Sequence, residues 1–134
     1  MKNLTLVLII SALSITVLSF SDSKKTTELE SSNDKVSFEM PTDVKTVIDN
    51  TCYGCHNSGS KSTKGKMKLK FDKMPDMKTG KLVGKLSKIS KVIKKDKMPP
   101  KKFLEHYPEK ALSKEDSELI VSWADGLVKE LSGE

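Results

Sequence analysis

Residues 50–58 read NTCYGCHNS and hold the only two cysteines of a 134-residue chain. Cys52 and Cys55 stand two residues apart, and His56 follows at once. Whatever the chain folds into must bring two thiols and one imidazole to a common place. Three chemistries compete for such a cluster. A disulfide across two residues closes a tiny loop and constrains the unfolded chain little. A thiol–disulfide exchange site usually opens a helix after a strand in a βαβ pattern, whereas this motif closes a helical pattern and no βαβ pattern is present. The third is covalent haem attachment, the reading for Cys-x-x-Cys-His. Two thiols at this spacing reach the two vinyl groups on adjacent edges of one porphyrin, and the next residue aims its imidazole at the iron from the same side. Cys52 and Cys55 are therefore expected as thioether links of one haem c, and His56 as the proximal iron ligand.

The composition agrees. Aromatic residues make up 5% of the chain, with a single tryptophan. A domain of fewer than about 100 residues buries a modest share of its surface and often needs a metal, a disulfide or a cofactor at its centre. A porphyrin face would supply the missing apolar area.

The ends divide the chain. Residues 1–20, MKNLTLVLIISALSITVLSF, join a positive start at Lys2 to an apolar run. A small-x-small pattern follows at 19–21, as in a secretory signal. The run sits near the lower limit of about 17 residues for a membrane span and contains Ser11, Ser14 and Ser19. A signal peptide over 1–21 is expected, placing the protein in the periplasm or another exported compartment. A membrane tether is the alternative if the segment stays uncleaved. Residues 22–40 are polar and lack helical or strand period, which reads as a disordered tether. Residues 41–134 then form one small domain.

Charge is concentrated in the middle. Residues 61–102 carry 16 lysines against Asp72, Asp76 and Asp96, a local balance of +13, while 22–60 come to −3 and 103–134 to −5. The chain has no arginine. Phosphate and base recognition lean on arginine's bidentate fork, so nucleic acid is set aside. The lysines are either a solvated surface or a docking surface for an acidic partner.

Within the domain, Pro41 and Thr42 open a helix pattern whose apolar face runs through Val44, Val47 and Ile48 and ends near Tyr53–Gly54. Residues 57–66 read as a loop. Met67, Leu69 and Phe71 alternate with lysines and suggest a short extended piece. Leu82, Leu86, Ile89 and Ile93 mark a helix over about 81–95, which the double proline of DKMPPKK (96–102) must break. Phe103, Leu104 and Tyr107 fall in an irregular segment. Ser113 with Asp116 forms a capping-box pattern before an amphipathic helix carrying Leu119, Ile120, Trp123, Ala124, Leu127, Val128 and Leu131. The expected fold is mostly α, a small domain of three main helices and long loops wrapped around one haem.

The sixth iron ligand has several candidates. Two prolines after Met98 fix the backbone that would present its thioether. His106, one of the looser methionines Met67, Met74 and Met77, and an open site are the alternatives; Met40 lies in the tether. A lone methionine is otherwise core filler.

The order of parts resembles a family. A helix runs into CYGCH, then come LVGKLSKISKVIKKDKMPP and FLEHYPEKALSKEDSELIVSWA. This is similar to the small haem-binding domains of secreted bacterial proteins, single-haem relatives of the c-type cytochromes, over about residues 41–131. The resemblance implies a haem c with His56 on one side of the iron and Met98 on the other. The loop after the motif departs from it, being short and lysine-rich without the tryptophans associated with that region.

Two functions follow. A one-electron carrier would use a filled iron coordination and a raised potential, presenting a haem edge to a redox partner with an acidic surface. A haem-based sensor or ligand binder would keep an open or displaceable sixth site. An enzyme is not expected, since a methionine-blocked iron leaves no place for peroxide.

Overall fold

The computed structural model describes residues 38–133. The expected signal segment, and the tether as far as residue 37, lie outside the described residues. Among the described residues all regular structure is helical. The main helices are α1 (Thr42–Thr51), α3 (Thr79–Ile93) and α5 (Lys114–Ser132), with two short ones, α2 (Thr63–Lys68) and α4 (Lys101–Leu104), between them. The mostly α fold of three main helices is as expected.

The core is made by the stripes the periodicity marks. Leu82, Leu86, Ile89 and Ile93 of α3 are all buried, and α3 lies along α5, which buries Ile120 and Ala124. Val44 and Ile48 of α1 complete the contact from a second direction. Each fully buried aliphatic side chain contributes about 1.5–3 kcal/mol of transfer free energy. α5 starts where Ser113 Oγ accepts from the Asp116 N–H at 2.9 Å. Glu115 and Asp116 in its first turn and Lys129 in its last suit the helix dipole. It stops at Gly133, whose φ of 71° is the left-handed conformation glycine adopts without cost.

Four local expectations are corrected. The packed domain begins earlier than residue 41: the Phe38 ring meets Trp123 edge-on at 6.1 Å, and Met40 packs on the core. The segment 57–71 is neither all loop nor extended. Ser62 caps α2 by accepting from the Gly65 N–H at 3.1 Å, and a 3-10 turn follows over Phe71–Asp76. Of the alternating stretch, Leu69 and Lys70 have extended dihedrals at the junction, so the apparent alternation belongs to two short helices placed end to end. Met74 is not in loose sequence but fully buried in that 3-10 turn. Phe103 and Leu104 belong to α4, with the Phe103 and Tyr107 rings stacked at 4.9 Å.

The end of α3 places the next segment. Asp96 has φ 49°. Its N–H donates to the Ile93 carbonyl and the Lys97 N–H donates to the Val92 carbonyl, both at 2.9 Å. These two bonds form a Schellman closure with an aspartate in the left-handed position that glycine usually takes. The chain thereby reverses direction immediately before Met98.

Candidate functional site

The CYGCH motif forms a compact turn at the end of α1. Cys52 is the C-cap, its N–H donating to the Ile48 carbonyl, and the Cys55 and His56 N–H groups both return to the Cys52 carbonyl at 3.1 Å. Residues after the motif clasp this turn. Ser60 Oγ donates to the Gly54 carbonyl at 2.9 Å, and the Phe71 N–H donates to the His56 carbonyl at 2.9 Å. The Phe71 ring stands edge-on to the imidazole at 6.4 Å.

His56 is oriented by Gly65. The two meet at 3.0 Å between Nδ1 and the Gly65 carbonyl. A carbonyl only accepts, so Nδ1 carries a proton, and in the neutral ring it is Nε2 that has the lone pair. That tautomer is the one a metal-binding histidine uses when it donates its other nitrogen to a backbone carbonyl. A Cβ at Gly65 would stand 2.3 Å from the Cys55 carbonyl oxygen. Only glycine lets α2 approach the motif closely enough to make this bond. Gly65 is not legible in the sequence, because one glycine between two lysines carries no signal without the fold.

Cys52 is not set up for thiol exchange. Burial, chiefly, pushes its thiol above the ordinary cysteine value. Thr51 Oγ1 spends its proton on the Val47 carbonyl at 2.7 Å, so the 3.3 Å contact with Cys52 Sγ has the thiol donating. Exchange cysteines have depressed values and sit at helix N-termini; this one sits at a helix C-terminus, where the dipole disfavours a thiolate.

Two cavities of about 290 and 460 Å³ open beside the motif. Both are lined by Cys52, His56, Lys68 and Met98, so they are two lobes of one slot. One lobe adds Cys55, Gly65, Pro99, Pro100 and Phe103. The other adds Leu69, Phe71, Ile89, Val92 and Ile93. Two thiols, an imidazole with a free Nε2, a thioether and mostly apolar walls match the donor set and surface of a covalently held haem. A separate depression of about 680 Å³ lies between Phe38, Met40, Ile48 and Tyr53. It is larger, but it holds neither thiol nor imidazole and is lined by Glu39, Asp49 and Asp72, so the slot is the candidate site.

The structure brings Cys52, Cys55, His56 and Met98 to this slot. The remaining ligand candidates are elsewhere. His106 is exposed and lines neither lobe. Met67 is 74% exposed, Met74 is in the core, Met77 packs on the core and Met40 lines the separate depression. Among the described residues Met98 is the one methionine of the slot.

Residues 60–126, half of the chain, match the family model described as a haem-binding domain. The chain belongs to that family. The match begins at Ser60, inside the clasp, and ends at Gly126 in α5, so it takes in Met98, while CYGCH lies just before it. The haem-binding domain thus binds haem, and its family segment supplies the slot's far wall and the residues that brace the motif. No curated protein and no solved structure matches the chain significantly.

Proposed function

We propose that this haem-binding domain is a one-electron carrier of an exported compartment, holding one haem c through Cys52 and Cys55 with His56 and Met98 as axial ligands. When bound there, haem c supplies a ferric/ferrous couple whose potential the axial pair raises. Each thiol would add its S–H across one vinyl group, giving two thioethers with no net oxidation. His56 would offer Nε2 while Gly65 holds its ring. Met98 would present its sulfur from backbone fixed by the Asp96 closure before it and Pro99–Pro100 after it. Leu69, Ile89, Val92 and Ile93 would exclude water from one face.

The observation carrying this reading is the pairing of His56 and Met98 as lining residues of both lobes. A haem iron held by both the imidazole and the thioether would keep no coordination position for an external ligand, which suits electron transfer and not ligand sensing. The lysines of 61–102 would draw an acidic redox partner into weak, salt-sensitive encounters.

Oxidised and reduced visible spectra of the holoprotein test the function. A carrier is six-coordinate and low-spin in both states and does not take up carbon monoxide. A five-coordinate ferrous form that binds carbon monoxide readily would replace the carrier with a sensor or ligand binder.

A further inference from the structure

The slot's two lobes differ in what they hold beyond the four shared residues. The lobe with both cysteines is the one a porphyrin's vinyl edge would enter. The other lobe touches Cys52 but not Cys55 and, beyond the shared Lys68, adds Lys85 and Lys88, where the cysteine lobe adds Lys64. In a b- or c-type haem the propionates lie on the edge opposite the vinyl-bearing rings. With the vinyl edge at the cysteines, the lysine lobe is where the two carboxylates would come.

The side chains there are suited to carboxylates. Lys85 and Lys88 stand three residues apart on α3, on the same face as Ile89 and Val92, which line the apolar floor. Lys85 Nζ donates to the Lys68 carbonyl at 2.6 Å. That bond holds its ammonium across the slot mouth from α3 to the end of α2, and two of its three N–H donors have no further hydrogen-bond partner among the described residues. Among the described residues no acidic side chain lines either lobe. The ion pairs among the described residues, Lys45–Asp49, Lys94–Asp125 and Lys114–Glu118, involve none of the slot lysines. Gathered ammonium groups around an apolar cleft repel one another until an anion joins them.

We propose that Lys85 and Lys88, with Lys68 across the mouth, form the subsite for the two haem propionates. This rests on haem occupying the slot and goes further by fixing which way round it sits, with its charged edge against α3. The bound carboxylates would neutralise these lysines, leaving other cations of the basic segment to meet a partner.

The test uses the holoprotein and its midpoint potential measured against pH, because a haem propionate that titrates bends that curve at its own pKa. Three double variants are compared with the unmodified chain: Lys85→Gln/Lys88→Gln, the charge-retaining Lys85→Arg/Lys88→Arg, and Lys91→Gln/Lys95→Gln. The last removes two exposed cations that line neither lobe. Removing a cation beside a carboxylate raises its pKa, so the acid bend of the Lys85→Gln/Lys88→Gln protein should move up by about one unit or more. The arginine variant and the Lys91/Lys95 variant should keep the bend where the unmodified protein has it. If the glutamine variant emerges without haem, loading of the arginine variant supports the subsite, and failure of both counts against it. Coincident curves for all four proteins overturn the propionate assignment while leaving haem in the slot. Haem staining of the unmodified protein on a denaturing gel separates this from the prior reading. An unstained band removes the covalent haem itself, and the assignment with it.

Discussion

The Gly65 carbonyl oxygen lies 3.0 Å from His56 Nδ1, and a Cβ on Gly65 would stand 2.3 Å from the Cys55 carbonyl. One residue thus both touches the motif and aims its imidazole. A methyl group there cannot be absorbed by a flexible side chain, because the atom it meets is backbone.

Gly65→Ala should therefore destabilise the domain by about 1–3 kcal/mol, as overpacking does. It should also free the His56 ring by moving α2. Chemical denaturation measures the first effect, and the visible spectrum of the holoprotein the second. An alanine variant with unchanged midpoint and unchanged spectrum would show that α2 does not brace the motif.

Asp96 pays a left-handed penalty that glycine does not. Asp96→Gly should raise stability by up to about 1 kcal/mol. Asp96→Val, with a branched Cβ, should lower it and disturb the approach of Met98. Denaturation midpoints of the two variants should fall on opposite sides of the unmodified protein.

Lys94 and Asp125 tie the end of α3 to α5 at 2.7 Å. The hydrogen bond from Lys94, then that from Ser90, holds the Asp125 carboxyl below its usual range. A depressed folded-state pKa means its contribution is present above the unfolded value near 4 and is lost as pH falls through the folded value. Both side chains are about half exposed, 54% and 45%, so solvent screening limits the effect to roughly 0.5 kcal/mol. The stability gap between the unmodified protein and Asp125→Asn should be small at pH 7 and close below about pH 4. A gap that widens with acid would contradict the sign.

If lysines draw the redox partner, electron exchange with an acidic protein should slow as salt rises, since exposed charges are screened over about 8 Å at physiological ionic strength. Lys64 lines the lobe that holds Met98 and Phe103, and Lys101 and Lys102 flank it. Reversing these three to glutamate should slow exchange at low salt and have little effect at high salt. A second-order rate indifferent to salt and to the reversal would return these lysines to a solvated surface.

Much of the fold was legible because its stripes are long. Leu82, Leu86, Ile89 and Ile93 keep helical spacing over three turns, and Ser113 with Asp116 announces α5; both lie as expected. The segment 57–71 was misread because α2 and the 3-10 turn are too short to show a period, and Met67, Leu69 and Phe71 fall two apart across their junction. Phe38 and Met40 were assigned to the tether because a polar run hides the two apolar side chains that reach the core. The four site candidates were visible as residue types at known spacing. Gly65 and the slot lysines were not, because a close approach and a shared cavity exist only after α2 and α3 are placed.

The central claim is that His56 and Met98 face one another across a haem. The most direct measurement is the visible spectrum of Met98→Ala beside His106→Ala and Met74→Ala. Met98→Ala should lose the weak long-wavelength sulfur-to-iron absorption of the oxidised protein, bind carbon monoxide when reduced and show a lower midpoint potential. His106→Ala should match the unmodified spectrum. Met74→Ala should also keep the absorption but lose about 2–5 kcal/mol of stability, since its side chain is fully buried. A silent Met98→Ala together with an altered His106→Ala spectrum would make the iron bis-histidine and contradict the account.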